Sequence, residues 1–207
     1  MSGPEHTGTA QFWDAQFAGK GYRYGTAPNA FVAAEAHRIA PGSEVVELGV
    51  GEGRNAVFLA ERGHRVTALD VSPVALGKTR RLAEARGVAV ETALFDARTW
   101  RPGRTWDAAV CTFLHLGPDK RPHLYRALRE ALRPGGWLIA EWFRPEQRTA
   151  GFQSGGPPDV AMMVPEDELR THFAEGAMLR CDAVQVTLDE GVHHGPAATV
   201  RLLYRTA

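Results

Sequence analysis

Short β-branched runs alternate with helical patterns along most of the chain. The first run, 44–48, centres on two valines and is followed, after a glycine-rich turn, by a helical pattern over 54–61. Four more runs predict strands, at 65–69, 88–95, 107–112 and 137–143. This alternation is typical of a parallel sheet with crossover helices.

Turn and cap residues indicate where the helices begin and end. Ser72 followed by Pro73 predicts the start of a helix that ends near Arg86. Asp119 is the expected N-cap of a later helix, which Pro-Gly-Gly at 134–136 ends. These signals separate the strands by the lengths that crossover connections need.

The rhythm changes after the fifth strand. Residues 144–164 lack a regular pattern and contain several glycines and prolines, so we expect a functional loop there. A helix over 165–174 then precedes two strand patterns, 181–188 and 198–204. Because only 189–196 connect them, these two strands are predicted to be antiparallel.

The pattern predicts one α/β domain over residues 1–207. We expect a seven-stranded, mostly parallel sheet with helices on both faces and a C-terminal antiparallel hairpin. Within it, 1–40 would form an N-terminal helical lid from two helices, 41–143 the cofactor-binding core, and 144–207 the substrate loop, helix and hairpin. A lid of this kind would lie over the carboxyl edge of the sheet, where such folds bind ligands.

Composition narrows the range of partners. The 24 basic and 24 acidic residues cancel, which disfavours a nucleic-acid partner. The two cysteines, Cys111 and Cys181, have no CxxC spacing, so we expect neither a zinc site nor a disulfide framework. The N-terminus lacks a basic and then apolar signal pattern, and no apolar run could span a membrane. We therefore expect a cytoplasmic monomer or weak homodimer without bound metal.

The strongest chemical signal is the glycine-rich turn between the first strand and its helix. Gly49, Gly51 and Gly53 let the backbone bend sharply and approach a ligand, although a plain tight turn would have the same residues. Asp70, at the end of the next strand, is placed to accept both hydroxyls of a ribose. Together these features favour a nucleotide-type ligand.

Two residues distinguish adenosylmethionine from a dinucleotide. Arg54 stands where the dinucleotide fingerprint has its third glycine. Asp96, at the end of the third strand, suits a ligand whose adenine amine donates a hydrogen bond, although ordinary turn chemistry also explains it. We keep an NAD-dependent oxidoreductase as the alternative.

The motifs E-L-G-V-G-E-G-R-N, A-L-D-V-S, F-D-A and L-R-P-G-G-W-L resemble those of class I S-adenosylmethionine-dependent methyltransferases, which have a Rossmann-like fold. The segments F-W-D-A-Q-F, Y-G-T-A-P-N, F-L-H-L-G-P and E-G-V-H-H-G are similar to the small bacterial tellurite-resistance and thiopurine methyltransferases. The resemblance covers nearly the whole chain. It departs at Glu47 and Val50, where the family usually has Asp and often Cys.

The resemblance implies where the cofactor binds. Glu47 and the glycines would face its methionine part, Asp70 its ribose, and Val71 and Asp96 its adenine, while Thr112 or Phe113 would present a carbonyl near the sulfonium. The expected cofactor-binding residues are Trp13, Tyr24, Glu47, Gly49, Gly51, Asn55, Asp70, Val71, Asp96, Ala97, Thr112 and Phe113.

The resemblance also implies a substrate-contacting histidine near the C-terminus, a role for which His193 and His194 compete because the motif is one residue short. His115 is either a pocket residue or a structural one. We expect methyl transfer from S-adenosylmethionine to a small, soft nucleophile: a thiol, a thiopurine, or a selenium or tellurium compound. The alternative from another class is a cofactor-binding regulatory protein without catalysis.

Overall fold

A single seven-stranded sheet organises the fold in the computed structural model, which describes residues 9–207. The strand order is β3-β2-β1-β4-β5-β7-β6, and only β7 runs antiparallel to its neighbours. The strands are β1 Glu44–Leu48, β2 Arg65–Asp70, β3 Val90–Leu94, β4 Trp106–Thr112, β5 Leu132–Phe143, β6 Ala177–Glu190 and β7 His193–Arg205. The predicted fold class is confirmed.

Helices flank this sheet and precede it. They are α1 Ala10–Phe17, α2 Ala30–Glu35, α3 Arg54–Glu61, α4 Pro73–Ala85, α5 Arg121–Glu130, α6 Glu146–Thr149 and α7 Glu166–His172, with 3₁₀ turns at Ala36–Arg38 and Val160–Met162. The Ser72 hydroxyl accepts from the Ala75 amide, as its cap sequence predicts. Residues 1–8 of the predicted lid lie outside the described residues.

Several boundaries differ from prediction. The Pro-Gly-Gly at 134–136 does not end α5, because that helix already ends at Glu130 and β5 begins at Leu132 instead of 137. Asp119 does not cap α5, because the position before the helix is Lys120 and makes no side-chain cap. The C-terminal hairpin is longer than predicted, since residues 189–196 are mostly strand and only Gly191-Val192 turns. Pro196 is tolerated in β7 because pairing with β5 begins only at Thr199. Cross-strand pairing with β6 therefore overrides the weak strand propensity of this segment.

The first strand shows why the site lies where it does. Val45 and Val46 are fully buried in separate clusters on opposite faces of the sheet, as strand alternation requires. The chain order reverses between β1 and β4, so the connections leaving these strands diverge and open a crevice at their carboxyl ends. Among residues 9–207, no helix is long and apolar enough to cross a membrane.

Candidate functional site

A cavity of about 540 Å³ opens at the carboxyl ends of β1, β2 and β4. Its volume is in the range of sites for small molecules and cofactors. All twelve residues predicted to bind the cofactor line it, and so do His115 and His193. The sequence pattern therefore collects these side chains around one space, while their individual roles stay predictions.

The glycine-rich turn forms the floor of this cavity. Gly49, Gly51 and Gly53 all have positive φ, and the chain enters α3 directly after them. Asp70 fixes the turn, because one carboxylate oxygen accepts from the Gly51 amide at 2.8 Å and the other from the Ser72 amide at 2.9 Å. Burial raises the pKa of Asp70 above its usual value. Each oxygen keeps a lone pair with which to accept a ligand hydroxyl.

Glu47 lies beside this floor and is buried. Its Oε1 accepts from Asn55 Nδ2 at 2.8 Å, and the same amide nitrogen reaches Thr112 Oγ1 at 3.1 Å. Its Oε2 is buried with no hydrogen-bond partner. An unpartnered carboxyl oxygen on a cavity wall fits a ligand that donates hydrogen bonds, such as the ammonium of an amino-acid moiety, whose positive charge would favour the ionised form of Glu47.

The burial of Glu47 makes stability depend on pH. Desolvation raises the pKa of this carboxyl to about 8, from 4.5. Between these two pH values the folded state therefore holds a proton that the unfolded state releases. The resulting contribution to the free energy of unfolding is present at pH 4.5 and is lost as the pH rises through about 8. We expect Glu47→Gln to flatten this fall in the free energy of unfolding. Urea denaturation at several pH values measures it, and an identical slope in the variant would contradict the assignment.

Asp96 closes the far end of the cavity beyond β3. Arg98 binds it in a fork, with Nε at 2.9 Å from one oxygen and Nη2 at 2.6 Å from the other. Hydrogen bonding by Arg98 lowers the pKa of Asp96. An ionised carboxylate held in place next to Ala97 fits an adenine amine that donates a hydrogen bond.

A chain of aromatic rings covers the cavity from the N-terminal side. Trp13 stacks on Phe17 with centroids 5.6 Å apart, and Phe17 meets Tyr24 edge-on at 6.2 Å. Tyr24 in turn lies 4.5 Å from the ring of His193. This row of rings therefore extends from the glycine-rich turn at Gly51 to His193.

A buried ion pair attaches this lid to the turn. Glu52 Oε1 lies 2.7 Å from Lys78 Nζ, and Lys78 also donates to the Gly21 carbonyl at 2.6 Å. The other oxygen of Glu52 accepts from the amides of Arg23 at 2.5 Å and Tyr24 at 3.4 Å. The backbone of 21–24 is thus hydrogen-bonded to side chains beneath it.

The two candidate histidines lie on opposite sides of β7. His193 is 8% exposed and lines the cavity, whereas the side chain of His194 is 74% exposed and lies near Asp189. Successive strand residues point to opposite faces, so only one of the pair can face the cavity. Burial, followed by the charge of Arg54, lowers the pKa of His193 to about 3, so its imidazole is neutral at pH 7.

His115 also belongs to the cavity wall. Its Nδ1 lies 3.1 Å from the Met162 carbonyl, and the Phe143 amide donates to its Nε2 at 3.4 Å. Burial lowers the pKa of His115 to about 4. With both nitrogens occupied by backbone groups, this ring supports the wall.

Two arginines line the cavity in addition to the twelve predicted cofactor-binding residues. Arg54 is buried, pairs with Glu190 through Nη2 at 2.7 Å, and has no partner for Nη1. Arg23 likewise has a buried Nε without a partner. Arg54 had been interpreted only as an obstacle to dinucleotide binding, although its position directly after the turn was a signal that it faces the cavity.

Residues 9–207 contain no group of three His, Cys, Asp or Glu side chains placed to hold a metal ion. Cys111 and Cys181 are both buried and unpaired.

Several known proteins are similar to this chain in sequence and in fold. Residues 45–136 match the family described as methyltransferase domain. The chain is 26% identical over 107 residues to the probable S-adenosyl-L-methionine-dependent methyltransferase TehB of Haemophilus influenzae, an alignment that covers 51% of this chain and 37% of TehB. The chain thus spans less than half the length of that curated relative.

Solved structures extend the similarity to nearly the whole chain. The crystal structure of TehB from Haemophilus influenzae has a TM-score of 0.73 at 20% identity and covers 96% of this chain and 67% of that one. A protein described by the conversion of a disulfide bond into a thioacetal group during echinomycin biosynthesis has a TM-score of 0.70 at 25% identity, covering 96% and 93%. The N-methyltransferase NodS from Bradyrhizobium japonicum, in complex with S-adenosyl-L-homocysteine, has a TM-score of 0.69 at 17% identity, covering 96% and 98%.

Fold, cavity and family match agree with the motifs in the sequence. The sheet carries its one antiparallel strand at β7, and the glycine-rich turn, Asp70 and Asp96 line one cavity. The predicted family and its methyl donor, S-adenosylmethionine, are confirmed. Residues 45–136 thus match a methyltransferase domain, and the chain is similar to S-adenosylmethionine-dependent methyltransferases such as TehB.

Proposed function

We propose that the protein methylates a small, soft nucleophile, such as a thiol, a thiopurine, or a selenium or tellurium compound. The cofactor, when bound, supplies an electrophilic methyl group on a sulfonium. The observation that carries the proposal is a neutral, buried His193 enclosed by aromatic rings beside the unpartnered nitrogens of Arg23 and Arg54.

The basicity of His193 determines which acceptors suit this site. An imidazole whose pKa is about 3 is a weak base, and an efficient general base has a pKa near the working pH. A hydroxyl or ammonium acceptor needs a stronger base than this. A free thiol ionises near pH 8.5, and nearby cations lower that value. Arg54 and Arg23 are the cations that would stabilise the thiolate.

Aromatic rings keep the acceptor side dry. Phe113 stacks on Phe143 with centroids 4.7 Å apart, and His193 meets each of them edge-on at 5.1 Å. Polarisable sulfur makes favourable contacts with aromatic rings. An anion that moves from water into a space lined by these rings loses part of its hydration shell, which makes it a better nucleophile.

The lid completes the enclosure. Trp13 and Tyr24 cover the cavity, and their ring faces suit a sulfonium cation. Most of the rate acceleration would come from aligning nucleophile and methyl group in this closed space. The buried cysteines form no disulfide and suit a reducing compartment, so we propose that the protein acts in the cytoplasm. We also propose that it acts as a monomer or weak homodimer.

The relatives support the choice of acceptor. TehB, a probable S-adenosylmethionine-dependent methyltransferase, is similar in sequence and fold, and the resemblance of the sequence motifs to tellurite-resistance methyltransferases supports the tellurium compounds in this proposal. A second relative, 25% identical, is described by the conversion of a disulfide bond into a thioacetal group during echinomycin biosynthesis, which supports a sulfur acceptor in this proposal.

The test uses labelled S-adenosylmethionine and a panel of acceptors. We expect methylation of small thiols, thiopurines or metalloid oxyanions, and little transfer to alcohols and amines of similar size. Methylation of DNA, RNA or protein with none of the soft acceptors would contradict the proposal. Stoichiometric cofactor binding without turnover on any acceptor would instead favour a regulatory protein.

A further inference from the structure

The segment 151–159, which we call the acceptor loop, is tied down by two neighbouring side chains of α6. Gln147 is fully buried, and its Nε2 donates to Ser154 Oγ and to the Gly155 carbonyl, both at 3.1 Å. Its Oε1 accepts from the Ala198 amide of β7 at 2.8 Å. The Gln147 amide thereby fastens the loop to the sheet.

Arg148 holds the same loop from its other side. Its Nη2 donates to the Gly156 carbonyl at 2.7 Å, its Nε to Pro157 at 3.0 Å, and its Nη1 to Phe152 at 3.3 Å. A loop without secondary structure has few backbone hydrogen bonds of its own and opens easily. Here a charged guanidinium replaces them, and hydrogen bonds from charged donors are the stronger ones.

The fastened loop presses against the acceptor side of the cavity. Gly155 has φ +138°, and a Cβ there would lie 2.4 Å from His193 Cδ2. A Cβ at Gly156 would lie 3.1 Å from the ring of Phe143. The backbone therefore touches both rings directly, and the position of the loop sets the width of the space beside them.

We propose that Gln147 and Arg148 are positioning residues that set acceptor specificity by holding the acceptor loop against His193 and Phe143. This inference rests on the proposed function, because it concerns the acceptor half of the same cavity. Their side-chain hydrogen bonds reach none of the twelve residues assigned to the cofactor. We therefore expect the replacement of Gln147 or Arg148 to weaken acceptor binding and to leave cofactor binding unchanged.

The first experiment measures steady-state kinetics of Arg148→Met in the full chain. Arg148 is half-buried, so the variant is expected to fold, and methionine keeps the length of the side chain without its donors. The KM for the acceptor is expected to rise about tenfold because a preorganised wall is lost, with the KM for S-adenosylmethionine unchanged. Arg148→Lys, which can reach one carbonyl, is expected to raise the KM for the acceptor less than Arg148→Met does. Arg126→Met, on the exposed face of α5, is the control.

A second measurement does not need turnover. Hydrogen exchange of the amides of 151–159 is expected to be at least tenfold faster in Arg148→Met than in wild type, with the strands β1 and β4 unchanged. Equal exchange overturns the inference, and so does an equal rise in both KM values. If wild type methylates no soft acceptor, the proposed function fails, whereas the exchange result still decides whether Arg148 holds the loop.

Discussion

We expect the replacement of His193 with alanine to lower methyl-transfer turnover about 100-fold and to leave the affinity for S-adenosylmethionine unchanged, because displacing reacting groups by an ångström costs that much. The imidazole fills the space between Tyr24, Phe113 and Phe143 and touches the acceptor loop. Its removal admits water and loosens the groups that align the nucleophile. Single-turnover rates and calorimetric binding of the cofactor measure the two effects separately.

The neighbouring histidine provides the matched control. His194→Ala alters the same strand one residue away, but that side chain is 74% exposed and outside the cavity. We expect wild-type turnover. Because burial lowers the pKa of His193 to about 3, the rate is also expected to show no inflection from this residue between pH 5 and 8. Wild-type turnover in both single variants and the double variant would remove His193 from the mechanism.

We expect the replacement of Asp70 with alanine to weaken the binding of S-adenosylmethionine at least tenfold. A charge-assisted hydrogen bond contributes about 1.5–3 kcal/mol, which corresponds to a factor of roughly 10–150 in the dissociation constant. The variant would lose the predicted ribose acceptor, and it also leaves the amides of Gly51 and Ser72 without their partner. Isothermal titration calorimetry measures the change.

Two further variants separate these contributions. Asp70→Asn keeps one acceptor oxygen and loses the charge, so its affinity is expected to lie between wild type and Asp70→Ala. Asp119→Ala, on the exposed segment before α5, controls for removing a carboxylate from the surface. Unchanged affinity in a folded Asp70→Ala variant would show that the ribose is held elsewhere.

The cofactor half of the site was predictable because its signals are local. The glycines, the strand before them and the acid ending the next strand lie within 44–70, where turn chemistry and strand period act over a few residues. Ser72 caps α4 as its sequence predicts. Parallel strands with a regular crossover bring their carboxyl ends to one edge, so Glu47 and Asp70 meet without any long-range information.

The acceptor half depends on contacts between distant segments. Residues 189–196 carry turn-forming residues and were predicted to be a loop, yet they pair with their neighbours as strand. Arg54 lines the cavity and pairs with Glu190, a contact between segments that lie far apart in the chain. Gln147 and Arg148 had no signal at all, because their partners are backbone carbonyls of a loop that has no periodic pattern.

The sequence by itself determined the seven-stranded fold, the nucleotide-type turn and the family, since periodicity, capping and short motifs are properties of neighbouring residues. Its resemblance to the family predicted a substrate-contacting histidine at His193 or His194 but could not choose between them. That choice depends on the register of β6 against β7, which pairs Glu190 with His193 and turns His193 inward beneath Tyr24. Register is set by packing across the whole sheet, and a shift of one residue would exchange the two faces.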